Sequence, residues 1–204
     1  MNGKTANDDK QSANNAEFSP VKLPQSPAAG ALQKNLTGSP RVARDIVADL
    51  YNNIQKWNDF HIKGSTIVKK IVAVKSESQE NYTIELEEYT KALFEVMTSL
   101  VVYRNSFDYL TSQIIALSKL QKNNRPLFMS LSVADMAEMI GTIGQAYKNE
   151  FEIKTTVLEN IGHAKDKHEA MFYAASWTHQ DYITKRIDMK LECLVVETGH
   201  RAYH

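Results

Sequence analysis

From Leu86 to Leu117 apolar and aromatic residues recur at alternating steps of three and four: Leu86, Tyr89, Leu93, Val96, Leu100, Tyr103, Phe107, Leu110, Ile114 and Leu117. Those are the a and d positions of a heptad repeat, each one filled. Neither proline nor glycine lies between Glu80 and Asn124. The pattern therefore predicts one unbroken helix on the order of 50–60 Å long. With Leu86 as a, the g positions are Ala92, Ser99, Ser106 and Gln113, and the e positions are Thr90, Met97, Arg104, Thr111 and Ser118. A two-stranded coil usually carries glutamate and lysine there. Small neutral residues instead widen the apolar stripe, as in a bundle of several helices. A second stripe, with Phe94, Val101, Val102 and Ile115, either packs on another helix of the chain or faces a partner.

The same period recurs on both sides. Ile46, Leu50, Ile54, Trp57, Phe60, Ile67, Ile71 and Val74 predict a helix opening at Ser39-Pro40, with serine as N-cap and proline at the first helical position. Gly64 interrupts it at a cost of about 1 kcal/mol, and the polar run from Lys75 to Asn81 ends it. Lys122 to Pro126 breaks the central helix, and Leu127 to Leu131 form an apolar connector. Ser132-Val133-Ala134-Asp135 reads as a capping box. It opens a helix with Met136, Ile140, Ile143, Tyr147, Phe151, Leu158 and Ile161 on one side, ending near Gly162. After Lys165-Asp166-Lys167 a shorter helix runs through Met171, Ala174 and Trp177. A last one uses Ile183, Ile187, Leu191 and Leu194 and stops at a left-handed Gly199. No strand-like alternation or internal repeat is present. The fold class is all-α: an elongated bundle of long helices over residues 41–204, built around the heptad-patterned helix.

Residues 1–40 differ. They hold four of the five prolines and a single aromatic, Phe18. Such a stretch buries too little apolar surface to offset ordering and is predicted to be a disordered tail. Ser19-Pro20-Val21-Lys22 has the S-P-x-K form preferred by cyclin-dependent kinases, and Ser26-Pro27 and Ser39-Pro40 are weaker versions. Phosphate at Ser19, Ser26 or Ser39 would add nearly two negative charges.

Composition narrows the function classes. Lysine plus arginine equals aspartate plus glutamate, 24 each in 204 residues. No overall field draws in nucleic acid or an anionic membrane, so neither is expected as a direct partner. No apolar run reaches the roughly 18 residues of a membrane span, and the polar start from Asn2 to Asn15 is not a signal peptide. The single cysteine, Cys193, cannot form an internal disulfide and reads as a core position. The cytosol or nucleus is expected.

Catalytic and cofactor patterns are not found. His163 and His168 are not spaced as a helical metal pair, and Phe172 stands where H-E-x-x-H needs its second histidine. One cysteine makes no zinc cluster. Gly141-Thr142-Ile143-Gly144 lacks the lysine of a P-loop and lies within a helical pattern, where close helix approach explains it. Paired acids such as Glu87-Glu88 read as a solvated face. No metal, no cofactor and no enzymatic activity is expected; the chain reads as a binding protein.

What stands out is polar and aromatic residues where a core pattern does not need them. Trp177-Thr178-His179-Gln180-Asp181-Tyr182 joins the last two helices, and Glu197-Thr198-Gly199-His200-Arg201-Ala202 closes the chain. From physics alone the first is a helix cap with a buried tryptophan or a docking surface. The second is a glycine C-cap with His200 and Arg201 at the negative helix end, or part of that surface.

At these residues the chain resembles the cyclin-dependent kinase 2-interacting protein family, whose vertebrate members read W-x-H-Q-P-Y and L-L-E-T-G-H-R-A at the same separation. Further agreement lies at Lys56-Trp57, at Arg125-Pro126-Leu127-Phe128, at Tyr147-Lys148 with Glu150, and at Lys154 with Thr156-Val157. Asp181 departs from the family's proline; both residues suit a helix start. The resemblance implies a non-catalytic nuclear adaptor, partly cytoplasmic. Its partners would be cyclin-dependent kinase and Dbf4-dependent kinase, the origin recognition complex, the checkpoint protein ATRIP and AAA ATPase subunits that act on replicating chromatin. A related ATPase assembly is linked to ribosome maturation. The resemblance also singles out Trp177, His179, Gln180, Tyr182, Glu197, Thr198, Gly199, His200 and Arg201 as partner-binding residues. A reading of another class rests on the heptad helix alone: a structural coiled-coil tether, or a scaffold that pairs with a second copy of the chain.

Overall fold

The computed structural model describes residues 36–77, 83–121 and 125–201. Five α-helices occupy them: α1 (Ser39–Glu77), α2 (Ile84–Leu120), α3 (Val133–Ile161), α4 (Lys167–Thr178) and α5 (Lys185–Glu197). No strand occurs among the described residues. The all-α bundle that the periodicity predicts is the fold observed. Ser19 and Ser26, with most of the predicted tail, lie outside the described residues.

Four of the five helix starts are set by a short-range contact at the cap, while Thr184 before α5 makes no side-chain cap bond. The Gly38 carbonyl accepts the first helical bond of α1, from the Val42 N–H at 3.2 Å, and Gly38 has φ +68°. The cap is therefore Gly38, one residue before the expected Ser39. Ser39 and Pro40 sit in the first turn, where a missing N–H leaves nothing unsatisfied. Thr83 accepts from the Leu86 N–H. Ser132 and Asp135 form the reciprocal capping box, and Asp166 accepts from the Glu169 N–H. At the other ends the two glycines differ. Gly199 has φ +72° and closes α5 by a Schellman turn, with His200 N–H donating to Val195 O and Gly199 N–H to Val196 O. Gly162 ends α3 with φ −65°, so its left-handed freedom is unused. A side chain there would press on Thr90 at 3.2 Å.

The a/d seam of α2 is consumed inside the chain. Leu86, Leu93, Val96, Leu100, Phe107, Leu110, Ile114 and Leu117 are buried, and α1 and α3 pack along α2 while touching each other little. The small e and g residues permit this. On the g side Asn53 of α1 donates to Ser106 Oγ at 2.6 Å. On the e side Gly144 of α3 lies so close to Thr111 that a Cβ would be 3.1 Å from its hydroxyl. The helices α4 and α5 close the ring between α1 and α3. The result is a four-stave, up-down-up-down bundle, whose fourth stave is broken between Thr178 and Lys185.

Two side-chain expectations are corrected, and of two alternatives left open for a third feature one is set aside. The second stripe of α2 does not pack on another helix of the chain: Phe94, Val101, Val102 and Ile115 are exposed. Cys193 is exposed, because α5 buries Ile187, Leu191, Leu194 and Val195 and Cys193 falls on the opposite arc. In α4 the buried positions are Ala170 and Trp177, so Met171, one step round, faces solvent.

Candidate partner-binding site

The broken stave gathers the residues that the terminal motifs carry. Trp177, at the last turn of α4, is fully buried. Its indole lies on Gly64 of α1: a Cβ there would overlap Trp177 Cζ2. The glycine read as a mid-helix weakness is the seat of this ring. The Trp177 Nε1–H donates to His61 O at 3.2 Å. One turn below on α1, Trp57 is equally buried. It stacks edge-on to Tyr147, and its Nε1–H donates to Gln180 Oε1 at 3.2 Å. The two motif residues Trp177 and Gln180 thus lock the break onto α1.

Beneath them lies a buried ion pair that the periodicity did not reveal. Lys154 and Glu150 of α3 have fully buried side chains and meet at 3.1 Å. The Lys154 Nζ finds three acceptors: Glu150 Oε1 at 3.1 Å, Trp177 O at 3.0 Å and His61 Nδ1 at 3.1 Å. It also lies 4.8 Å from the Trp177 ring centre. Three acceptors match the three donors of an ammonium. Burial pushes the Lys154 ammonium down and the Glu150 carboxyl up, each opposed by the charge of the other. Burial and the neighbouring Lys154 charge push His61 down to about 4. His61 is therefore neutral at physiological pH and can accept at Nδ1. Glu150 Oε2 has no hydrogen-bond partner among the described residues.

The closing motif forms a second cluster at the opposite end of α5. Glu197 is buried. Its Oε1 accepts from the backbone N–H groups of Met129 at 2.9 Å, Ser130 at 2.5 Å and Leu131 at 2.8 Å, and Oε2 accepts from Ser130 Oγ at 2.9 Å. Burial works to raise this carboxyl, but the hydrogen bonds outweigh it and hold Glu197 below the usual range. Thr198 is buried and donates back to Leu194 O. Gly199, His200 and Arg201 are exposed. The His200 ring meets Arg44 O at 3.0 Å. Arg201 holds Glu192 with two bonds of 2.8 Å and donates to Tyr51 OH at 2.8 Å. A shallow cavity of about 320 Å³ between Tyr51, Asn52, Val195, His200 and Arg201 opens beside them.

The nine candidate residues thus divide. Trp177, Glu197 and Thr198 are buried and Gln180 is half-buried, all holding the fold. His179, Tyr182, Gly199, His200 and Arg201 reach solvent. The two groups of solvent-facing residues lie at either end of α5, roughly 25 Å apart along the stave. Sequence reasoning missed His61 and the roles of Gly64, Glu150 and Lys154, which it named only as a helix interruption and as points of family agreement. One signal could have found the last two: an acid and a base at i, i+4 sit inside the buried stripe Tyr147, Glu150, Lys154, Val157, Ile161. Among the described residues no group of three His, Cys, Asp or Glu side chains is placed to hold a metal ion, and no helix is long and apolar enough to cross a membrane.

No family model matches the chain. It is similar to cyclin-dependent kinase 2-interacting proteins. The protein of that name from Mus musculus is 26% identical over 196 residues, with 82% of this chain and 92% of the relative covered. The Homo sapiens protein gives the same identity and coverage. The Xenopus laevis protein is 24% identical over 190 residues, covering 81% of this chain and 92% of its own. The resemblance read from the terminal motifs therefore extends over four fifths of the sequence. Its scattered segments also converge in space. Trp57, Tyr147, Glu150 and Lys154 meet the Trp177 junction, and the connector beyond Arg125-Pro126 meets Glu197.

Proposed function

We propose that this chain is a member of the cyclin-dependent kinase 2-interacting protein family and acts as a non-catalytic adaptor that binds a cyclin-dependent kinase. The observation that carries the proposal is the similarity along nearly the whole length of relatives that bear that name. The solvent exposure of part of the terminal motifs supports a binding role. Trp177, Gln180, Glu197 and Thr198 are spent on the fold and Gly199 on closing α5, which leaves His179, Tyr182, His200 and Arg201 for a partner. The adaptor works in the nucleus. Its further partners are the Dbf4-dependent kinase, the origin recognition complex, ATRIP and AAA ATPase subunits, and its service is to replication, checkpoint signalling and genome maintenance. Ser19 is the leading phosphate acceptor. Ser39, as the first residue of α1, would carry its phosphate at the positive end of the helix.

The test is direct binding of the purified full chain to a purified cyclin-dependent kinase 2–cyclin complex, followed by mapping of phosphate after incubation with ATP. Binding and phosphate on Ser19 are expected. Absence of binding, together with no co-purification of either kinase or of the ATPase subunits from nuclear extract, would overturn the proposal. The tether reading has lost its footing: the heptad seam it needs for a second chain is already filled by α1 and α3.

A further inference from the structure

Seven of the fourteen large apolar residues exposed among the described residues belong to α2, while the longer α1 supplies two, Val42 and Ile62. Five of the seven share one face. Phe94, Val101 and Ile115 are b positions and Val102 and Tyr109 are c positions, so together they line the outward side of the helix, opposite the a/d seam. Phe94, Val102 and Tyr109 are each 60–64% exposed. From Phe94 to Ile115 the stripe runs roughly 32 Å. The polar residues between them withdraw: the hydroxyls of Thr98 and Ser112 donate to the carbonyls of Phe94 and Asp108 on the same helix. An apolar stripe of this length on the outer face of a bundle marks an interaction surface.

The charges on the face select its occupant. Its ionisable groups between Phe94 and Ile115 are Glu95 and Asp108. Between Phe94 and Ile115 the helix carries one cation, Arg104, which is engaged by Asn105 at 3.0 Å and Asp108 at 3.7 Å; Lys91 lies one turn before Glu95, and no described residue forms an ion pair with Glu95. A second copy fits poorly. Antiparallel pairing centred on Val101 and Val102 brings Glu95 of one copy against Asp108 of the other, and parallel pairing brings each acid near its own counterpart; neither sets a cation directly opposite either acid. We propose that the outward face of α2 docks an amphipathic helix of a different protein, about twenty residues long, with an apolar stripe flanked by lysine or arginine. This holds whichever kinase the chain binds.

The test uses the full-length chain and three synthetic, fluorescently labelled 21-residue helical peptides. One has a leucine stripe flanked by lysines, one the same stripe flanked by glutamates, and one the lysines with the stripe replaced by glutamine. Only the first should bind. Val102→Lys should weaken it about tenfold or more. The double variant Glu95→Lys with Asp108→Lys should weaken it similarly and transfer binding to the glutamate-flanked peptide. All altered side chains are exposed, so helicity and Tm should stay unchanged; an altered Tm moves the test to Tyr109→Lys. Binding of the stripe-less peptide as tightly as the first would reduce the face to non-specific charge and overturn the proposal, as would no binding at all. A photo-crosslinking residue at position 102 in the purified chain provides the second arm. Crosslinks into residues 1–35 or into a second copy would mean the face is covered by the protein itself, and would overturn it too.

Discussion

The three unbroken staves and the broken fourth one hold themselves in place by different means. Along α2 burial is spread over eight seam positions, with Tyr89 and Tyr103 half-buried beside them. Along α4 and α5 it rests on a few residues, each with a specific seat: Trp177 on Gly64, Gln180 on Trp57, and Glu197 in the connector's N–H groups. A helix of 12 or 13 residues is marginal by itself, so the two short pieces depend on these anchors. Distributed packing makes a stave tolerant; point anchoring makes it dependent on individual side chains.

The sharpest way to break that difference is to compare Trp177→Ala with Leu100→Ala. Both remove a fully buried side chain and each should lower stability by roughly 3–5 kcal/mol. Their patterns should differ. Leu100→Ala should leave amide exchange protection in the same rank order along all four staves. Trp177→Ala should release α4 and the following junction first, while α1, α2 and α3 stay protected. Hydrogen exchange with mass spectrometry reads this, and equal loss across all helices would show that the fourth stave is no more locally anchored than the others.

Lys154→Ala tests the ionic part of the anchor. It leaves Glu150 buried without its counter-charge and should lower stability by about 3–5 kcal/mol, measured by urea unfolding. The double variant Lys154→Met with Glu150→Leu should recover most of that loss, since a buried pair often exchanges for apolar residues at little cost. A double variant as unstable as the single would mean that Lys154 acts through Trp177 O and His61 rather than through Glu150.

How much of this the sequence discloses follows from the same contrast. Distributed packing leaves a periodic trace, so the staves, their order and even the internal use of the α2 seam are legible from Leu86 to Leu117. The direction of a single exposed side chain is less so. Phe94 and Val102 look like a second core stripe until the number of staves is known, and Cys193 is as apolar as its buried neighbours. Point anchors leave almost no trace. Gly64 reads as a defect because nothing local says that a tryptophan more than a hundred residues later rests on it. Lys154 draws notice only through the family resemblance; nothing local marks it as buried, since lysine almost never lies fully buried without partners and its partners sit on three different helices. The terminal motifs drew notice for their unexpected polarity and from the family resemblance. The structure separates the part of that polarity that holds the fold from the part that faces solvent.

His61 sharpens the comparison with a smaller effect. Its pKa falls from an ordinary 6.5 unfolded to about 4 in the fold, through burial and the Lys154 charge that faces it. Between those values the unfolded chain binds the extra proton. Stability from this group is therefore complete above pH 6.5 and is lost as pH falls toward 4. Allowing for the half-exposed ring, the loss is on the order of 2 kcal/mol. Denaturant midpoints taken at intervals from pH 7 to pH 4.5 should show it, and His61→Gln should flatten the slope. An unchanged slope in the variant would assign the acid sensitivity to other groups.

The smallest structural effect belongs to the double variant His200→Ala with Arg201→Ala, and here the fold and the proposed function part company. Gly199 closes α5 through backbone bonds alone, so the turn does not need either side chain. Arg201 and Glu192 are both about half exposed, and an exposed ion pair adds little to stability. Their removal should leave Tm unchanged within error. Binding to the kinase–cyclin complex should fall nonetheless, because His200 and Arg201 are the polar groups that the closing motif presents to solvent beside the cavity at Tyr51 and Asn52. Calorimetric titration alongside thermal melting separates the outcomes. Lost binding at constant Tm places the partner at the end of the broken stave; lost Tm makes the two side chains part of the anchor; and neither loss moves the kinase site to His179 and Tyr182 at the other end of α5.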